Sequence, residues 1–245
     1  MKLFIHLRRL GAMGIVGMLA VLALGGFLPA AAFAAPAKCS ATDVHCVITA
    51  GDQLIATRQS ALDTLRDKVA AELKAEHINS DQANALQADI ATNQHDLASL
   101  KARLDADTSV TAARQDVKNI FFEFRIFAVV LPRDYQQLHF DIERKLDEKM
   151  QGAKAKIQQA IADAHGDKKA RLTALYNDYV AHLKTAESQF DTIQTNLPTL
   201  TPANFNTTRT TYETHLHAVC SAEKTAHEAM HQAAQDLNQI AHFLK

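Results

Sequence analysis

The sequence predicts an all-α protein, an elongated bundle of about five to six long antiparallel helices, on three observations. Past residue 35 there are only three glycines in about 210 residues (Gly51, Gly152, Gly166) and no tryptophan. Apolar residues recur there at three- and four-residue spacing almost without interruption. Short alternating runs closed by turn dipeptides, the signature of strands, are missing.

Residues 1–34 read as a signal peptide. Lys2, Arg8 and Arg9 form a basic opening, and Leu10 to Leu28 carries no charge. Ala32-Phe33-Ala34 places small residues at alternate positions for cleavage, and Ala35-Pro36-Ala37 follows as an extended start. The 19 uncharged residues could also span a bilayer as an uncleaved anchor. Gly25, Gly26 and the alanine-rich exit favour cleavage. Residues 35–245 then form one helical bundle domain, with a sub-division near 132–166, in a protein that is secreted, periplasmic or at the cell surface. Membrane contact is expected only through the leader, should it stay attached. A net charge of -1 gives no basic face for nucleic acid.

The first helix is expected over about 42–77, with Leu62, Leu65, Val69 and Leu73 on its buried stripe. Ile78-Asn79-Ser80 interrupts it, and Ser80 or Asp81 can cap the second helix. That helix runs to about Leu104 and buries Leu86, Ile90, Leu97, Leu100 and Leu104. Asp105 to Ser109 forms a junction rich in capping residues. The third helix is the most apolar. Val110, Ala113, Val117, Ile120, Phe124, Phe127 and Leu131 mark its stripe, Phe121 and Val130 widen it, and Pro132 ends it or kinks it sharply. Its phenylalanines are the expected centre of the core.

A fourth helix is expected over 134–164, using Ile142, Leu146, Met150, Ala153, Ile157 and Ile161. Gly166 fits a left-handed stop behind it, with Asp167 capping the next helix. The fifth helix buries Leu172, Leu175, Tyr179, Leu183, Ala186, Phe190 and Ile193, and Leu197-Pro198 closes it. Thr201-Pro202 is an N-cap followed by a proline in the first turn. The last helix runs over 202–244 on Tyr212, Leu216, Val219, Ala226, Met230, Ala233, Leu237, Ile240 and Leu244, with Glu223 out of character on that seam.

The segment Phe124-Arg125-Ile126-Phe127-Ala128-Val129-Val130-Leu131-Pro132, with Leu100-Lys101-Ala102-Arg103-Leu104-Asp105-Ala106-Asp107-Thr108 before it, carries a resemblance. Over about residues 80–165 the chain resembles a loose group of exported, alanine-rich helical bacterial proteins with no established activity. The resemblance implies an exported helical protein and assigns no functional residue.

Chemistry-bearing residues concentrate on the last helix. Counting from His217 at about 100° per residue, Cys220, His227, His231 and His242 fall within roughly 80°, beside the apolar stripe. His217, Cys220, His227 and His231 are therefore candidate metal ligands, since two imidazoles four residues apart can reach one ion. Copper or zinc suits such a set. A further ligand would have to come from elsewhere, such as His45. Solvated surface histidines are the competing reading.

Three cysteines in an exported chain predict one disulfide and one odd thiol. Cys39 and Cys46 would lie about 10 Å apart if both were helical, too far to bond. Either Cys39 precedes the helix and folds back onto Cys46, or one of them joins Cys220. Arg125, set among phenylalanines, is expected at a helix boundary with its stem on apolar surface and its head on a carboxylate. Asp105 and Asp107 are expected to cap.

No haem, phosphate-loop or nucleophile-elbow motif is found. Long helices also leave few loops for an active site. The expectation is a non-enzymatic binding, spacer or structural module of the cell envelope, meeting a protein or an envelope polymer along a helix face. Metal binding through the last helix is the alternative.

Overall fold

The computed structural model describes residues 39–40 and 42–244, so the signal peptide expected over 1–34 lies outside the described residues. Every regular element among the described residues is helical: α1 (Val44–Lys74), α2 (Ser80–Asp105), α3 (Val110–Phe122), a π-helical turn (Ile126–Val130), α4 (Leu131–Gln151), α5 (Lys154–Asp163), α6 (Gly166–Asn196), a 3-10 turn (Leu197–Thr199), α7 (Pro202–Thr207) and α8 (Arg209–Phe243). The all-α class holds. No helix among the described residues is long and apolar enough to cross a membrane.

The chain divides into two compact units. The first takes the described residues up to Ile142 together with Asn196–Leu216. The second takes Glu143–Thr195 and the chain from His217 onward. The helices α4 and α8 each give residues to both.

In the first unit, α1 and α2 run antiparallel. Lys101 reaches Asp52 at 2.7 Å and Gln94 reaches Asp63 at 2.9 Å, so the partner number falls in α1 as it rises in α2. Between them Ile55, Leu62, Leu65 and Val69 of α1, and Ile90, Leu97, Leu100 and Leu104 of α2, are buried. Each such side chain contributes about 1.5–3 kcal/mol through burial. The expected capping of α2 shifts by one residue. Asn79 is extended (φ -94°, ψ 171°), its side chain accepts the Gln82 N–H, and the Gln82 side chain accepts the Asn79 N–H. This reciprocal box satisfies two otherwise orphaned donors and leaves Ser80 and Asp81 inside the helix.

Gly51 sits where α1 meets α2 and α3. A Cβ there would lie 2.5 Å from Leu104 Cδ2 and 2.8 Å from Val117 Cγ2. Only a hydrogen fits, which is why the one glycine of α1 stands here.

The third expected helix is corrected. It stops at Phe122, and Arg125 takes the left-handed conformation with φ 47° and ψ 33°. Pro132 opens α4 instead of ending its predecessor. A first-turn proline costs nothing, because its missing N–H would have had no intrahelical acceptor. The phenylalanines are not the core that periodicity promised. Phe127 is buried, but Phe121 and Phe122 are 37% and 49% exposed. The expected caps move too. Ser109 caps α3 by accepting the Ala112 N–H, while Asp105 pairs with Lys101.

In the second unit, α4 and α6 are antiparallel. Tyr179 donates to the Met150 carbonyl at 2.6 Å and Arg144 stacks on Phe190. The pair α6 and α8 is antiparallel as well, through His182–Asp236 and Arg171–Phe243. The single helix expected over 134–164 breaks at Gly152-Ala153 into α4 and α5. Gly166 is left-handed as expected (φ 56°), but α5 has already ended at Asp163 and Gly166 opens α6. The last expected helix is likewise split, at Thr208 (φ -134°, ψ 57°), after the predicted Thr201 cap.

Tyr179 is fully buried, so its hydroxyl needs the Met150 carbonyl it finds at the end of α4. Replacing it by phenylalanine is expected to cost about 1 kcal/mol, because Met150 keeps its bond from the Ala153 N–H. Urea unfolding of the variant checks this.

Candidate functional site

The irregular junction between α3 and α4 gathers the unusual chemistry of the first unit. After Phe122 the helical ladder stops, and the left-handed Arg125 costs of order 1 kcal/mol in backbone strain. Its carbonyl then accepts from Ala128 at 3.1 Å, Val129 at 2.8 Å and Val130 at 3.3 Å, which starts the π-helical turn. Such turns inside helical proteins concentrate at functional positions.

The Arg125 side chain is held from two sides. Its Nε donates to Asn206 Oδ1 at 2.9 Å, and the Asn206 amide donates to the Phe122 carbonyl at the end of α3. Its guanidinium lies 5.0 Å from the Phe122 ring centre and 4.4 Å from that of Phe205. Arg209 stands over the same Phe205 ring at 3.9 Å, and Lys118 is 5.4 Å from Phe122. The expected carboxylate partner of Arg125 is thus replaced by an amide and two rings. Burial, and then the neighbouring charge of Arg209, lower the Arg125 pKa.

Arg58 of α1 lies on the inner side of the same junction. It is 3% exposed, and its guanidinium sits 4.7 Å from the Phe121 ring centre and 5.0 Å from that of Phe127. Nη1 donates to the Leu54 carbonyl at 2.9 Å, while Nε is buried with no hydrogen-bond acceptor. Burial pushes its pKa down to about 10. The two ring faces take the place of the missing acid. Beside the junction, an open cleft of about 390 Å³ is lined by Asp96, Arg103, Glu123 and Phe124 among others.

A second polar cluster runs along the first half of α4. Arg133 bridges Asp89 of α2 and Asp134, with Nε 2.8 Å from Asp134 Oδ1. Asp134 is 2% exposed and its Oδ2 finds no donor. Burial raises its pKa to about 7, against the opposing charge of Arg133. Asp141 accepts from Gln82 at 3.2 Å and Gln137 at 3.0 Å, and burial raises it to about 6.

The candidate metal ligands are dispersed in role. His217 and Cys220 are exposed on α8. His227 bonds Glu143 at 3.0 Å, and His231 bonds Gln235 at 3.3 Å. His45 is exposed at the start of α1. Among the described residues no three His, Cys, Asp or Glu side chains form a group able to hold a metal ion. The hydrogen bond that His227 donates to Glu143 raises the His227 pKa, with the charges of Glu143, Glu223 and Glu228 adding to it. His227 is therefore expected to titrate above free histidine, and Glu143→Gln to bring it back down. An NMR titration of the imidazole reads both.

Of the two cysteine arrangements, the structure shows Cys39 preceding α1 with its sulfur 2.08 Å from that of Cys46 and the Cα atoms 5.6 Å apart. Asp43, inside this small ring, caps α1 by accepting the Cys46 N–H at 2.9 Å. A disulfide here fits an oxidising compartment.

No protein-family model, curated protein or solved structure matches the chain. What the fold itself defines is a class: an all-α protein of long antiparallel helix pairs.

Proposed function

We propose that the chain is an exported, non-enzymatic binding module of the cell envelope. One observation carries this: the end of α3 presents two exposed phenylalanines beside an arginine held in a strained left-handed conformation. Soluble helices normally turn such rings inward, so an exposed aromatic pair locked by its neighbours marks a contact surface. Strain at Arg125 is retained because Asn206 and Phe205 fix its side chain outside the regular helix. The Cys39–Cys46 disulfide and the leader motif support export. The partner meets the α3–α4 junction rather than a smooth helix face.

Photocrosslinking in the intact envelope with a reagent that labels proteins and lipids alike tests this. A discrete adduct that weakens in a Phe122→Ser variant is the expected result. The same adduct pattern in both proteins, or no adduct, contradicts it.

A further inference from the structure

Two cations of the junction, Lys118 and Arg125, meet no carboxylate among the described residues. Among the described residues, Lys118, Arg125 and Arg209 surround the Phe122 and Phe205 rings, and of the three only Arg209 meets a carboxylate, Glu213 at 2.6 Å. Asp116 is taken by Arg103, and Glu123 lines the neighbouring cleft with that same arginine. Arg125 and Arg209 share one ring and repel each other. Rings and the Asn206 amide hold them together, which leaves their remaining N–H groups for an anion.

Phe122 decides what kind of anion. It stands 49% exposed between Lys118 and Arg125. An occupant that satisfies the whole cluster offers negative charge and apolar matter within a few ångströms of each other. A hydrated polyanion offers only the charge. The outer layer of an anionic bilayer offers both, with phosphates above acyl chains. We propose that Lys118, Phe122, Arg125 and Arg209 form a docking site for the phosphate headgroups of an anionic lipid surface, with the Phe122 ring entering between them. This rests on the reading of the chain as an envelope binding module and names what it binds.

The test uses the full chain as its host processes it. Binding is compared on phosphatidylcholine vesicles and on vesicles with about 30 mol % phosphatidylglycerol, at about 0.05 M salt. The expected preference for the anionic vesicles is about tenfold, falling away at about 0.5 M salt. The double variant Arg125→Gln, Arg209→Gln is expected to lose that preference, and Arg125→Lys, which keeps the charge, to retain it. Phe122→Ser is expected to weaken binding several-fold. Lys168→Gln, an exposed site in the second unit, is expected to change nothing. Any contribution of an attached leader is common to all variants and cancels.

Equal binding to both vesicle types overturns the proposal, and so does an unchanged preference in the double variant. Binding of glycerol phosphate in solution with no binding to vesicles overturns the lipid occupant. If vesicles are ignored while envelope crosslinking still traps a discrete partner, the lipid site fails and the binding-module reading stands.

Discussion

Replacing Gly51 by leucine is expected to lower the stability of the first unit by about 3 kcal/mol. The new side chain would start 2.5 Å from Leu104 Cδ2 and 2.8 Å from Val117 Cγ2, both on helices that pack here. Leu104 is fully buried, and close-packed interiors leave little room for a side chain to give way. The helices must part, or the side chains must leave their rotamers. Gly51→Ala is expected to be much milder, since better helix propensity, about 1 kcal/mol, offsets part of the clash. Combining Gly51→Leu with Leu104→Ala is expected to cost less than the sum of the two, because one change vacates what the other fills. Urea unfolding of the four proteins reads the coupling. Strict additivity would show that Gly51 does not hold this crossing together.

The first unit is expected to be more stable at pH 5 than at pH 8. Asp134 titrates at about 7 in the folded chain and a free aspartate near 3.8, so between those values the folded state binds more protons than the unfolded one. Stability then falls as pH rises, by up to about 1.4 kcal/mol per pH unit for each such group, and is lost through the folded pKa. Asp141, at about 6, acts in the same direction. In the second unit, the raised His227 also adds stability that is present at low pH and lost as pH rises through its folded value. Asp134→Asn keeps the shape and removes the charge. It is expected to match the wild type at pH 5, exceed it by about 2 kcal/mol at pH 8, and flatten the pH profile. A variant with the wild-type slope would contradict the assignment.

Much of the fold was legible because burial follows period. Leu86, Ile90, Leu97, Leu100 and Leu104 lie on one stripe and all are buried. The same holds for Tyr179, Leu183, Ala186, Phe190 and Ile193. Thr201-Pro202 was readable because a cap followed by a first-turn proline has local causes. The α3–α4 junction was not legible, for two physical reasons. An apolar period continues through Phe124, Phe127 and Leu131 and gives no warning of a left-handed arginine between them. Pro132 also serves equally well to stop one helix or to start another.

The site was less legible than the fold. Arg125 stood out among its phenylalanines, but its partners Phe205, Asn206 and Arg209 lie about 80 residues away, joined by tertiary packing alone. For Arg58 a signal did exist. Gly51, Ile55, Arg58, Leu62, Leu65 and Val69 step by three and four, which puts an arginine on a buried stripe. A charge at such a position needs a compensating group, and its compensation by two rings is not written in local sequence. The histidines of α8 show the opposite case. Their spacing was readable, but the His227–Glu143 bond depends on a helix 84 residues away.

The central claim is that the chain binds its envelope partner through the α3–α4 junction. The most direct measurement places a photocrosslinking residue at Phe122 and, separately, at Lys168, and irradiates intact cells. A discrete adduct from position 122 and none from position 168 is the predicted result. Equal labelling from both positions, or labelling from 168 alone, would contradict it.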